Sequence, residues 1–294
     1  MKTVSLINAR GATLGDNLLD RILKERLSKN GYYVFEGYNS NCNAVVFGAG
    51  GLLWEHTFPP ILKDINKAVR HHKPCYGIGL GVQGFCSKEK FSFLKHFKKI
   101  IVRSRYSYKY LKDYLGVESI PSSDITWVYK PKTTEPQENT VGIIHPNITR
   151  YQLHLKALKN LEMKKIFIPF QLPALDHYRN AIKITDGEIL NIKGMDIEKT
   201  VYEMSKCSLL IAGHLHGVIL SILVERPVII LPLRDKIRAF VTENNLLDLT
   251  AMTDDEIIIK IKYLKNSDIS YSHIINQNKA KAEESLNMLI NSLP

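Results

Sequence analysis

Short apolar runs alternate with amphipathic stretches along most of the chain, and that rhythm restricts the fold more than any other feature. "TVSLIN" (3–8) reads as a strand and "LGDNLLDRILKERLSKNG" (14–31) as a helix closed by Gly31. "NAVVFGAGG" (43–51) and "CYGIGLG" (75–81) each read as a strand ending in a glycine turn, with a proline-started helix, 58–73, between them. "KKIIVRS" (98–104) is a further strand, "SYKYLKDYLG" (107–116) a helix, and "VESIPSSDITW" (117–127) a strand with its exit loop. Strands that alternate with helices imply a parallel sheet covered on both faces.

The segment "YKPKTTEPQENT" is polar and proline-containing, and the rhythm restarts after it. "TVGIIHP", "KKIFIPF", "SLLIAG" and "PVIIL" read as strands; "ITRYQLHLKALKNL", "LDHYRNAIK", "IEKTVYEMSKC" and "LHGVILSILVE" read as helices. A chain of 294 residues, 45% hydrophobic, is long enough for two cores. The expected architecture is therefore α/β: two doubly wound, Rossmann-like parallel-sheet domains with a cleft between them. Their expected bounds are 1–130 and 141–270, joined by a connector over 131–140. A C-terminal amphipathic helix over 271–294 is expected to pack back on the first domain.

The net charge of +11 implies an acidic partner. Nine basic residues fall in 88–112 against Glu89 alone, interleaved with aromatics. Such a stretch suits an acidic glycan, an anionic membrane surface or a phosphorylated substrate; over Lys88–Lys99 a solvated helix face is the simpler reading. No zinc-finger spacing or RNP-like motif is present, so no nucleic acid is expected. Arg10 and Asp16 fall where a signal peptide would stay apolar, and the four cysteines lack CxxC spacing. A cytoplasmic protein with reduced thiols is expected, touching a membrane at most peripherally.

Ligands of open parallel sheets gather at the carboxyl ends of strands. Three glycine-bearing segments are expected there as loops: "RGATLGDN" with Gly15, "GAGGLLWE" with Gly50 and Gly51, and "GIGLGVQG" with Gly79 and Gly81. None has dinucleotide GxGxxG spacing. In the second half "LLIAGHLHGVILSILVERPVIIL" forms a strand–helix–strand unit. Gly213 turns the chain and sets His214 and His216 at the helix start. One such histidine is readily a satisfied core residue; two at a strand end point to a site, His216 more strongly. A metal would need third and fourth ligands, and none is paired nearby, so none is expected.

Taken in order, these landmarks resemble the polysaccharide pyruvyl transferase family, whose members look like two-domain transferases of the GT-B type. The matching segments are "LGDN" with Asp16, "GAGGLL", "GIGLG", "VRSRYSYKYLKDYLGV" with Arg103 and Ser107, "SSDITW" with Asp124, "IPFQLPALDHY" with Asp176, and the histidine block through Lys236. The resemblance implies pyruvyl transfer from phosphoenolpyruvate, as co-substrate and without a further cofactor, to hydroxyls of a surface glycan or lipid-linked oligosaccharide. It implies His216 as the catalytic acid/base, with Asp16 and Asp124 positioning acceptor hydroxyls. Capping or turn roles suit both aspartates equally well.

Two departures stand out. The family pattern Arg-Leu-His is here His214-Leu215-His216, and Leu233 stands where a tyrosine is common. An imidazole is cationic only in part near neutrality, whereas a guanidinium is a permanent planar fork. Either His214, Arg103 and Arg105 share the donor anion, with Ser107 and Lys236, or the donor differs. The alternatives are a GT-B glycosyltransferase using a nucleotide sugar and, third, a non-catalytic anion- or membrane-binding protein.

Overall fold

The computed structural model describes residues 1–9, 13–57, 59–145, 155–170, 182–190, 196–265, 267 and 269–294. Residues 175–181 of the helix expected over "LDHYRNAIK", with Asp176, and the first half of that over "ITRYQLHLKALKNL" lie outside these residues.

Two compact units divide the chain: Met1–Ala12, Asp16–Tyr129 and Asn276–Pro294 form one, and Thr13–Gly15 with Lys130–Ile275 the other. The first contains a parallel sheet ordered β2-β1-β3-β4-β5-β6. Its strands are β1 (Lys2–Ile7), β2 (Tyr32–Glu36), β3 (Ala44–Leu53), β4 (Cys75–Val82), β5 (Lys99–Val102) and β6 (Ile120–Pro121). The second contains a parallel sheet ordered β11-β10-β7-β8-β9. These strands are β7 (Gln137–Ile144), β8 (Lys164–Phe167), β9 (Glu188–Ile189), β10 (Cys207–Ala212) and β11 (Val228–Ile230). β4 is buried at every position and β10 at all but one, the continuous apolar reading of strands covered on both faces.

Helices form where apolar residues recur at helical spacing. In α1 (Leu14–Lys29), Leu14, Leu18, Leu23 and Leu27 are buried, and Gly31 at φ 81° ends the run. In α2 (Pro59–Arg70) the buried stripe is Ile61, Ile65 and Ala68, with prolines in the first turn, where no intrahelical N–H is needed. A short helix, α3 (Arg105–Lys109), runs on into a π-helical turn over Tyr110–Leu115. α4 (Leu155–Lys159), α5 (Ile197–Ser205), α6 (Leu215–Leu223), α7 (Asp235–Glu243), α8 (Asp254–Leu264) and α9 (Ser272–Ser292) follow. Asp196 caps α5 by accepting from the Lys199 N–H at 3.0 Å, and Thr253 and Glu256 form a capping box on α8.

Several expectations require correction. The strands β3 and β4 run through their glycine clusters, so Gly50, Gly51, Gly79 and Gly81 are strand residues and not loops. Pairing continues past them, Gly48 opposite Ile78 and Gly50 opposite Leu80, with a register shift before Leu53 meets Val82. The segment 88–99 is no helix face: it holds a 3₁₀ turn, Ser92–His96, and buries Phe91, Phe93 and Leu94. β7 begins at Gln137, inside the stretch read as connector, because its pairing with β10 starts at Gln137 opposite Cys207. The stretch 117–127 yields only two strand residues before a 3₁₀ turn, Ile125–Val128. β2 was not expected at all.

The last nineteen residues, Asn276–Pro294, group with the first unit. Asn278, Ala282, Leu286 and Leu289 make the buried face of α9. Ser123 Oγ donates to Asn278 Oδ1 at 2.7 Å, Ser122 Oγ to the Lys281 carbonyl at 2.9 Å, and Arg26 pairs with Glu283. The first unit thus takes its helical cover from both ends of the sequence. Leu286 is fully buried, so Leu286→Ala should destabilise the protein by about 2–5 kcal/mol, measured by chemical denaturation.

Candidate functional site

In an open parallel sheet the carboxyl ends of the strands splay apart where the strand order reverses, and that crevice takes ligands. In the second unit the reversal lies between β7 and β10, since β8 and β9 extend one way from β7 and β10 and β11 the other. His145 follows β7 directly and is buried. Gly213, just beyond β10, donates its N–H to the Ile144 carbonyl at 2.8 Å and ties the two strand ends together. His214 comes next as the N-cap of α6, and His216 is its second residue.

Among the described residues, the His214 side chain caps none of the first α6 amides, and α7, with Arg234 at its N-cap, is likewise without a side-chain cap. A helix start carries partial positive charge, which favours an anion. The His214 ring stacks on Phe170, centroids 5.8 Å apart and planes 25° apart. Burial holds the His214 imidazole well below its ordinary pKa of 6.5, and the charges of Lys236, Arg234, His216 and His145 push it the same way. His214 is thus a neutral ring near neutrality, not the partial cation read from sequence. Lys236, half-buried, and Arg234, exposed, thus act on His214 through their charge.

His216 is nearly buried, and its ring lies on the backbone of Gly15. Thr13–Gly15 belong to the second unit, anchored there by the Leu14 N–H donating to the Phe170 carbonyl at 2.9 Å. A Cβ at Gly15 would stand 1.8 Å from His216 Nδ1, so only glycine permits this approach. Among the described residues no group of three or more His, Cys, Asp or Glu side chains is arranged to hold a metal ion.

The remaining expected site residues lie in the first unit. Its strand order reverses between β1 and β3. Asp16, in the first turn of α1, comes to that edge: its Oδ1 lies 3.2 Å from where a Gly50 Cβ would be. Gln83 lies flat on Gly51 and donates from Nε2 to its carbonyl at 2.5 Å, while the Ala49 side chain fills the space beside Gly79. Arg103 is laid across Gly81, with Nε 2.2 Å from the position of an absent Cβ. These glycines flatten the sheet edge so that long polar side chains lie on it.

Arg103, Asp124 and Ser107 serve this frame. Arg103 Nη1 meets Asp124 Oδ2 at 3.2 Å, with the two side chains 4% and 5% exposed. Asp124 Oδ1 caps the 3₁₀ turn, accepting from the Thr126 N–H at 3.0 Å and the Thr126 hydroxyl at 2.7 Å. Ser107 Oγ accepts from the Val82 N–H at 3.1 Å and from Ser104 Oγ at 2.9 Å, which fixes α3 to the end of β4. Arg105 is exposed. Burial pushes the Cys75, Cys86 and Cys207 thiols up to about 12, leaving them un-ionised and poor nucleophiles at neutral pH.

Sequence reasoning missed His145 and Arg234. The sequence signal for both was position: each is the polar residue that follows an apolar strand in the histidine-bearing half.

Removing one partner of a buried ion pair strands the other charge. Asp124→Ala should therefore cost about 3–5 kcal/mol in equilibrium denaturation, whatever it does to activity.

Solved structures share this fold at low identity. A UDP-GlcNAc 2-epimerase from Neisseria meningitidis, bound to UDP-GlcNAc, is similar at TM-score 0.67 and 9% identity, covering 100% of this chain and 99% of that one. Os79 from O. sativa, in complex with U2F and trichothecene, matches at TM-score 0.62 and 10% identity, covering 99% and 100%. MurG from Acinetobacter baumannii matches at TM-score 0.53 and 12% identity, covering 100% and 99%. These likenesses are of fold: two Rossmann-like units of the GT-B kind. No curated protein matches the sequence. The polysaccharide pyruvyl transferase model matches residues 6–234, the stretch that carries both glycine-flattened strands, His214 and His216, and ends at Arg234, two residues before Lys236. With that match over most of its length, the chain belongs to the polysaccharide pyruvyl transferase family and is a transferase.

Proposed function

We propose that this protein transfers a pyruvyl group from phosphoenolpyruvate to two hydroxyls of a sugar in a surface glycan or lipid-linked precursor, forming a cyclic ketal. The observation that carries the reading is the convergence of His145, His214, His216, Arg234 and Lys236 at the strand-order reversal of the second sheet. Phosphoenolpyruvate bears a carboxylate and a phosphate, and both need positive charge or N–H donors. The starts of α6 and α7 supply N–H groups, and Arg234 and Lys236 supply permanent charge. Together they replace the guanidinium that the family pattern has at position 214.

Proton transfer to the donor's methylene carbon makes its neighbour cationic, and a sugar hydroxyl attacks there, giving up its proton. Departure of phosphate then allows a second hydroxyl to close the ketal. His216 is the acid and then the base in this scheme, its ring fixed on Gly15. Neutral His214 donates a hydrogen bond to the bound anion and gains a proton as the anion offsets its cationic neighbours. Asp16 is assigned the orienting of an acceptor hydroxyl. Arg103, Asp124 and Ser107 act through the frame and not on the reacting atoms. No cofactor beyond the co-substrate enters the scheme.

The runner-up keeps the site and changes the donor. The Neisseria meningitidis epimerase, whose fold this chain shares, is bound to UDP-GlcNAc, and a nucleotide sugar would meet the same positive groups. Among the described residues no helix is long and apolar enough to cross a membrane. Work on a lipid-linked acceptor at the cytoplasmic face of a membrane would accordingly rest on peripheral contact.

Thermal shift with phosphoenolpyruvate, CMP, UDP and GDP separates the donors. A ligand at a hundred times its Kd stabilises the folded state by about 2.7 kcal/mol. Phosphoenolpyruvate alone should do so, and His216→Ala should keep that shift while losing about 10²–10⁴-fold in turnover. Stabilisation by one nucleotide alone would overturn the donor assignment.

A further inference from the structure

The chain has two tryptophans, and they are used differently. Trp127 is 1% exposed and serves the core; Trp54 is 41% exposed and Phe85, across from it, 58%. Both sit just beyond a strand, Trp54 after β3 and Phe85 three residues after β4. This is the carboxyl edge of the first sheet, where Gly50, Gly51 and Asp16 also lie. Exposed aromatics grouped at a ligand-binding edge call for an explanation that isolated ones do not.

The loops that carry them are braced. The Glu55 N–H donates to the Phe85 carbonyl at 2.9 Å, and the Gln83 N–H to the Leu53 carbonyl at 2.9 Å. Thr57 turns its N–H back to the Trp54 carbonyl at 2.9 Å, and its hydroxyl to the Leu52 carbonyl at 2.5 Å. Glu55 Oε2 accepts from the Ser87 N–H at 2.9 Å, and the Cys86 N–H donates to the Tyr110 hydroxyl at 2.9 Å. Trp54 meets His56 edge to face at 4.9 Å, and its indole lies beside the Gly84 backbone. Phe85 meets Tyr114 at 6.0 Å. Aromatic rings are thus presented on a fixed frame without a core to fill.

We infer that Trp54 and Phe85 form the acceptor platform, on which the apolar C–H face of a pyranose ring stacks while its hydroxyls stay free for polar neighbours. The inference rests on the glycan-acceptor reading above and adds the place where the sugar is held. A pyranose suits a flat, rigid indole, since little conformational entropy is lost on stacking. A lipid bilayer suits these loops less well. The first reads Trp54-Glu55-His56-Thr57, three polar residues directly after the indole, and hydrogen bonds from Ser87, with the charges of Lys90 and His56, keep the Glu55 carboxyl below its ordinary range.

The test is saturation-transfer NMR on the intact protein with galactose, glucose and N-acetylglucosamine oligomers, alongside tryptophan fluorescence with vesicles of three parts phosphatidylcholine to one of phosphatidylglycerol. At least one oligomer should bind, about tenfold more weakly to Trp54→Ala and to Phe85→Ala, with Trp54→Phe close to wild type. Thermal shift with phosphoenolpyruvate should be the same in all four proteins. Oligomer binding unchanged by both alanine variants would overturn the platform while leaving pyruvyl transfer standing. A Trp54 emission shift with vesicles and no oligomer binding would overturn it in favour of a membrane contact. Oligomer binding that depends on Trp54, without any response to phosphoenolpyruvate, would uphold the platform and sink the donor assignment.

Discussion

Positive charge gathered at one end of a buried sheet is the constraint on which the account turns. Burial, above all, holds the His214 pKa down, and the charges of Lys236, Arg234, His216 and His145 push it the same way. Groups of like sign are costly to hold together in a partly desolvated place, and the least costly response is for the titratable member to stay neutral. His214 does so. The cluster then keeps its permanent charges, two helix starts without side-chain caps, and a neutral ring able to take a proton. That combination suits the small, multiply charged donor anion proposed above.

The first unit solves a different problem. Glycines within β3 and β4 remove side chains where the sheet edge must be flat, and long polar side chains lie across the vacated positions. Gln83 covers Gly51 and Arg103 covers Gly81. The guanidinium is then compensated by Asp124, which also caps the following turn. Such a pair is costly to break, and it makes this part of the edge rigid.

Much of this was legible in the sequence. The alternation of apolar runs with helical stripes gave the two parallel sheets, and "GHLHG" marked a site because two histidines beside a hydrocarbon run require a reason. What the sequence hid was of three kinds. Glycine clusters look like turns, yet here strand pairing runs straight through them, because neighbouring side chains fill the gaps. Asp124 and Ser107 stand out as candidate site residues, and their bonds to Thr126, Arg103 and the Val82 amide are local geometry invisible in one dimension. His145 and Arg234 carried little motif signal, since it is the strand order β11-β10-β7 that brings the strands they follow into one sheet with the histidine-bearing β10 end. The role of His214 depended on its neighbours' charges, and only the fold brings those charges together.

The most direct test is calorimetric: titration of phosphoenolpyruvate into wild type and His214→Arg near neutral pH, in buffers of different ionisation enthalpy. Unliganded His214 is neutral because its pKa lies below the ordinary value, and an anion seated among its cationic neighbours raises that pKa, so binding draws a proton onto the ring. Comparison with the arginine variant removes the ligand's own protonation, which is common to both. The account predicts net proton uptake by wild type in excess of the variant, rising as the pH is lowered from neutrality toward the pKa of the complex. Equal proton counts for the two proteins, or no heat of binding with phosphoenolpyruvate in either, would contradict it.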